Sequence, residues 1–192
     1  METPLAVDVL MHHRESERPT STGHLVHRVV AGARLHLHRQ EGPPPRETVA
    51  RPGRELWILH PRGEAVPTDA EPEKLQVLLI DGSWSEAARM ATHVTGWGRL
   101  IRLPEAGASR NSLRRQEESG KYATVEALIF LLAALGLTAA EAELRLQFEL
   151  HVYAGLRTRG ARAQAEEFLA QSPIRDAFPD LLAELHRPRP LV

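Results

Sequence analysis

Four consecutive residues, Asp81-Gly82-Ser83-Trp84, place a carboxylate, a bare backbone, a hydroxyl and an indole side by side. They follow the apolar run Leu75–Ile80, which reads as a buried strand, and they open a helix. A buried strand that turns at once into a helix marks a parallel sheet covered by helices, with the ligand crevice at the carboxyl ends of its strands. At such a position a carboxylate can accept a proton or bind a cation, and an indole can stack on a base or on a cofactor. Glycine lets a ligand approach the backbone closely. The structural alternative is a strand-to-helix turn with Ser83 as N-cap and Trp84 as a hydrophobic staple.

The elements that must hold these residues follow from the pattern. Ser83 with Glu86 makes a capping box, Trp84, Ala87, Ala88, Ala91 and Val94 recur at helical spacing, and Gly96 supplies a left-handed stop. Upstream, Leu5–Met11 reads as a strand, followed by a polar loop over 12–22, a short helix over Gly23–Val30 and a strand over Arg34–His38. The stretch Glu41–Arg54, with three successive prolines and Gly53, reads as a loop without regular structure. Leu56–Leu59 is a third strand, Leu75–Ile80 a fourth, and Arg99–Leu103 a fifth, stopped by Pro104. Pro61, Gly63, Pro67 and Pro72 place a loop between the third and fourth. Arg110–Lys121 is a charged loop, and the remainder is helical: Val125–Leu135 closed by Gly136, a helix opened by a Thr138/Glu141 capping box, Ala161–Ala170, and a last helix near Pro179–Leu185. The expected fold is α/β, a mostly parallel sheet flanked by helices with a helical C-terminus, in one domain over residues 1–192.

Four ordered blocks carry a resemblance. Asp81-x-Ser83-Trp84 resembles the D-x-[TS]-W signature of the DTW-domain family. His12-His13-Arg14-Glu15 with Thr22-Gly23 resembles its early HPRE…TG block, and Leu113-Arg114 with Ala123-Thr124-x-Glu126-Ala127 its later LR…STxEA block. The similarity runs from about Val7 to Arg159. It implies a SPOUT-like fold with a knotted C-terminal region that binds S-adenosyl-L-methionine, and transfer of that cofactor's 3-amino-3-carboxypropyl group to a uridine of tRNA, with rRNA modified by more distant relatives. By this resemblance Asp81 is the catalytic candidate, and Gly82, Ser83, Trp84, Leu103, Pro104, Ala123 and Thr124 are cofactor-binding candidates. His13, Arg14, Arg114 and Arg115 are substrate-binding candidates. Relatives carry serine where this chain has Ala123, which removes one hydrogen bond, and the N-terminal cysteine cluster of several relatives is missing.

Two roles stay open for Asp81: it accepts the uridine N3 proton, or it binds the ammonium group of the cofactor. An ordinary Asp, with a pKa of about 3.9, is a weak base at neutral pH, and burial beside Trp84 would raise it. Thr124 reads either as the N-cap of the apolar helix or as a cofactor contact. Glu126 needs a partner if it is buried. SPOUT-type methyl transfer and a non-catalytic RNA-binding module are the alternative functions. No GxGxxG follows a strand, and neither GxSxG nor a P-loop is present.

Composition narrows the rest. The absence of cysteine excludes disulfides, thiolate zinc sites and a cysteine nucleophile. The net charge is −1, so the chain is no polycation. Of its 24 basic residues only Lys74 and Lys121 are lysine, so phosphate contacts fall to arginines, among them Arg99, Arg102, Arg110, Arg114, Arg115, Arg157, Arg159 and Arg162. The expected partner is RNA, tRNA before rRNA, with neither DNA nor a membrane, and the oligomeric state is open. The N-terminus has neither a basic region nor a long apolar stretch, so a cytoplasmic protein is expected. His36 and His38 form an HxH pair on one strand face without an evident third ligand, so no metal site is expected.

Overall fold

The structure, a computed structural model, describes residues 1–104, 109–113 and 122–186. Five strands, β1 (Ala6–His12), β2 (Arg34–His38), β3 (Glu55–Ala65), β4 (Leu75–Asp81) and β5 (Arg99–Arg102), form one all-parallel sheet in the order β2-β1-β4-β3-β5. Every residue of β1 is buried and β4 is buried except for Ile80, as expected of central strands covered on both faces.

Side chains alternate between two cores. On one face, Val7, Val9 and Met11 of β1 and Val77 and Leu79 of β4 pack with α1 (Thr22–Val29), α4 (Thr124–Ala134) and α5 (Thr138–Thr158). On the other, Leu10, Ile58 and Leu78 pack with Val49 of the one-turn α2 (Arg46–Val49) and with Met90 of α3 (Trp84–His93). The helices α6 (Arg162–Ala170), α7 (Ile174–Ala177) and α8 (Pro179–His186) continue the first layer.

This arrangement sets the position of a site. The chain leaves β1 through α1 towards β2 on one side of the sheet. It leaves β4 through α3 towards β5 on the other. The two strands are neighbours, with Met11 opposite Asp81, so their carboxyl ends form the topological switch point where open parallel sheets bind ligands.

Three local expectations are corrected. The stretch 41–54 holds α2, because the prolines stand before it and Pro45 serves as its N-cap. The third strand runs past Leu59 to Ala65, since the register against β5 shifts between Leu59 and Glu64, and that bulge accommodates Pro61 without a ladder N–H. Gly63 sits so close to β5 that an added Cβ would lie 2.6 Å from the backbone of Ile101. Thr138 is not an N-cap: Leu137 N donates to Leu132 O and Gly136 N to Ala133 O in a Schellman closure of α4, with Gly136 at φ 70°, and Leu137 itself then caps α5. Among the described residues no helix is long and apolar enough to cross a membrane.

Candidate functional site at the carboxyl ends of β1 and β4

Asp81 ends β4 on the same face as Val77 and Leu79, between the N-termini of α1 and α4, and is only 2% exposed. Its Oδ2 accepts from Ser21 Oγ at 2.8 Å and its Oδ1 from Thr124 Oγ1 at 2.5 Å. Ser21 is the N-cap residue of α1, yet its hydroxyl makes no capping bond and serves the carboxylate instead. The N-cap of α4 is Ala123, so Thr124 is its first helical residue and not its cap. Having no side-chain acceptor, Ala123 is capped from the other direction: its N–H donates to Glu126 Oε2 at 2.8 Å.

Gly23 allows this packing. A Cβ there would fall 2.7 Å from Asp81 Oδ2 and 3.0 Å from Met11 Cε. Gly23→Ala is therefore expected to push the carboxylate off its two hydroxyl donors and to cost about 1–3 kcal/mol of stability, as overpacking does in cores, measured as a shift in the urea midpoint.

On the opposite side of β4, Ser83 caps α3 as the spacing implies. Ser83 N and Oγ both donate to Glu86 Oε2, at 2.9 and 2.6 Å. The second oxygen of Glu86 lies 3.3 Å from Nδ1 of His12, the last residue of β1. Gly82 is pressed between them, its absent Cβ 3.1 Å from Glu86 Cβ and 3.6 Å from His12 Cβ. Trp84 is 48% exposed, which corrects the staple reading: the indole lies at the surface beside the Asp81 turn and outside the core. His13 is half-buried and its ring meets that of His12 at 4.4 Å, while Arg14 is exposed on the same 3-10 turn.

Leu103 and Pro104 follow β5 and, with Ala65, Val66, Arg102 and Ala134, line a cleft of about 650 Å³. Asp81, Ser83 and Trp84 are not among its lining residues, so the structure does not bring all the cofactor candidates into one cavity. Arg114 and Arg115 lie outside the described residues, as does Lys121.

Sequence reasoning missed what holds the chain between β5 and α4. Glu126 is 3% exposed and accepts from Ser109 Oγ at 2.8 and 2.7 Å and from Arg110 N at 2.7 Å, which meets the need for a partner. Arg110 pairs with the buried Glu149 of α5 through both its Nε and Nη2 and lies over the Phe168 ring. Arg159 donates to Leu113 O, Arg99 pairs with Glu64 and Arg157 with Glu166. Four arginines read as phosphate contacts are thus engaged within the fold, while Arg102 and Arg162 are exposed. His36 contacts Asp8, and His38 Nε2 meets His93 Nδ1 at 2.8 Å. The HxH pair therefore serves two separate partners. Among the described residues no group of three His, Asp or Glu could hold a metal ion.

Burial lowers the pKa of His12, His38, His60 and His151 below the ordinary 6.5, positive or imidazole neighbours lower each further, and at His12 Glu86 opposes the shift. The unfolded chain then binds more protons than the folded one in mild acid. Their stabilising contribution is complete above about pH 6.5 and is lost as pH falls through the folded values. The urea midpoint is expected to be level between pH 7 and 8 and to drop by pH 5.5. A midpoint unchanged at pH 5.5 would contradict these neutral imidazoles.

A family model described as DTW domain matches residues 1–155, which takes in all five strands, the Asp81 turn and most of α5. Neither the curated proteins nor the solved structures returned a match.

Proposed function

The chain belongs to the DTW-domain family, and on that premise we propose that it transfers the 3-amino-3-carboxypropyl group of S-adenosyl-L-methionine to N3 of a uridine in RNA, tRNA before rRNA. The observation that carries the reading is the placement of Asp81, buried at the β1/β4 switch point with hydroxyl donors on both carboxylate oxygens.

Separate features support a cofactor of this kind. The cleft beside Leu103 and Pro104 lies within the size range of small-molecule sites and is lined mainly by apolar groups suited to an adenosine. Of the two roles open to Asp81, binding the cofactor's ammonium group is better supported than accepting a proton, because both of its oxygens already accept from hydroxyls. Trp84 offers an exposed aromatic face next to that acid, and stacking on such faces is a common way to hold a base. The bound cofactor would supply a carbon activated by a sulfonium leaving group. The chain's own contribution is to fix both reactants in line and to keep the carboxylate in place, and positioning can remove much of such a barrier. Thr124 acts here through Asp81, and Ala123 leaves the backbone N–H of α4 to Glu126. The knotted C-terminal region belongs to the same proposal; the segment after β5 that would form it includes 105–108 and 114–121, outside the described residues.

Incubation of the purified chain with cofactor and unmodified tRNA, followed by mass spectrometry of nucleosides, tests the proposal. The expected products are acp-uridine and methylthioadenosine. Adenosylhomocysteine would show methyl transfer instead. RNA binding without cofactor binding by calorimetry would identify a binding module.

A further inference from the structure

We propose that Arg110 is a positioning residue for the Asp81 site: locked between α5 and α6, it fixes the start of α4, which holds that carboxylate. Its part in turnover rests on the transfer reading above. Asp81 depends on α4 through Thr124, the first helical residue, whose hydroxyl donates to Oδ1. The N-cap before it, Ala123, has no side-chain acceptor to offer. Glu126 fills that place. Its Oε2 accepts from Ala123 N at 2.8 Å and its Oε1 from Arg110 N at 2.7 Å, so one buried carboxylate ties residue 110 to the helix start.

The Arg110 side chain decides where that backbone N–H stands. Nε and Nη2 donate to the two oxygens of Glu149 on α5, and Cζ lies 4.7 Å from the centre of the Phe168 ring on α6. A guanidinium makes both contacts at once, because its flat fork meets a carboxylate edge-on while its face lies on a ring. The same segment is fastened again at Leu113. Its carbonyl accepts from Arg159 Nη1 at 2.7 Å, and a Cβ on Gly155 would lie 2.7 Å from its methyls. Phe168 and Arg159 lie beyond the residues 1–155 matched by the family model, so chain outside the match supports the site within it.

Stability alone is a weak reason for this pair. Glu149 is 1% exposed, and a charge pair so far out of water is seldom more stabilising than apolar side chains of the same size. What the pair supplies is a fixed donor to Glu126. A rate set by positioning falls steeply with geometry: a misplacement of about 1 Å can cost about a hundredfold.

The test uses Arg110→Lys. Lysine keeps a cation opposite the buried Glu149, so the chain folds, but it has neither the fork nor the flat face. Arg110→Ala is unsuitable, since it leaves Glu149 uncompensated. In Arg110→Lys, NMR amide shifts are expected to change at Glu126, Ala123, Thr124 and Asp81, while Ser83 and Glu86, on the other side of β4, keep parental shifts. Calorimetry should show cofactor binding weakened about tenfold, and kcat should fall about tenfold to a hundredfold, with little change in melting temperature. Glu166→Gln, which breaks the Arg157–Glu166 pair between the same two helices, is the control and should leave these readouts at parental values. Should Arg110→Lys fail to fold, Phe168→Leu keeps the ion pair, removes the ring and is read in the same way. Shift changes confined to α5 and α6, or parental affinity and kcat, overturn the positioning role and leave the transfer reading standing. A parent that makes no nucleoside product overturns the transfer reading. The positioning role is then decided by the shifts alone, supported where they reach Asp81 and overturned where they stop at Glu126.

Discussion

Asp81→Asn is expected to lower group transfer at least about a hundredfold, the scale of losing one fixed electrostatic contact in an active site, while the chain still folds. Asparagine has the size and shape of aspartate. Ser21 Oγ can go on donating to the remaining carbonyl-type oxygen while the Thr124 hydroxyl rotates to accept from the amide, or the reverse, so neither buried hydroxyl is stranded. What disappears is the negative charge held between α1 and α4. A cofactor ammonium would lose its counter-ion, so calorimetry should show weakened cofactor binding together with the lost rate. Asp81→Ala is a different experiment. It leaves both hydroxyls without their acceptor in a site closed to water, at about 1–3 kcal/mol for each unsatisfied group, so it should lower the melting temperature as well. An asparagine variant with parental cofactor affinity and parental rate would show that Asp81 only ties two helices to the sheet.

The contrast between Asp81 and Ser83 explains what the sequence made legible. The capping box of Ser83 and Glu86 spans four residues, and such local patterns read directly from spacing. So do the buried strand before it, the parallel sheet, the apolar α4 and its glycine stop, because each depends on periodicity within one element. The partners of Asp81 do not. Ser21 and Thr124 lie 60 and 43 residues away, and nothing local indicates that their hydroxyls abandon helix caps to meet one carboxylate. Thr124 looked like an N-cap because Thr is a good one; tertiary demand for its hydroxyl moved the cap to Ala123. The surface position of Trp84 was hidden for a related reason: helical spacing shows which residues share a face, but not where the buried stripe begins. Glu126 was legible as a residue needing a partner, whereas Ser109 and Arg110, which supply it, were not.

The largest loss of stability is expected at Asp8, on the same face of β1 as His12 and nearer the start of that strand. Asp8 is fully buried and accepts four side-chain hydrogen bonds. Arg34 Nε and His36 Nε2 of β2 bond Oδ1 at 2.7 and 2.8 Å, and Arg51 Nε and Gln76 Nε2 bond Oδ2 at 2.8 and 3.0 Å. One carboxylate thereby joins β2, β1, β4 and the chain after α2. Burial alone would raise its pKa, but the hydrogen bonds from His36, Arg34 and Arg51 prevail and hold it below 3.8. Removing it strands the donors unequally. The Arg34 side chain is 40% exposed and can turn to water, whereas Gln76 is fully buried and cannot. Asp8→Ala is therefore expected to cost about 3 kcal/mol, the lower end of the range for breaking a buried charged network, read as a fall in the urea midpoint at pH 7. Asp8→Asn should recover little, since its amide would present hydrogens to groups that are themselves donors. A group whose folded pKa is depressed stabilises fully above its unfolded value and loses that contribution as pH falls through the folded one. The gap between parent and variant should accordingly narrow below about pH 4. A loss under 1 kcal/mol at pH 7 would mean that the four donors find other acceptors, and that β2 is held to the sheet by its backbone ladder and apolar packing alone.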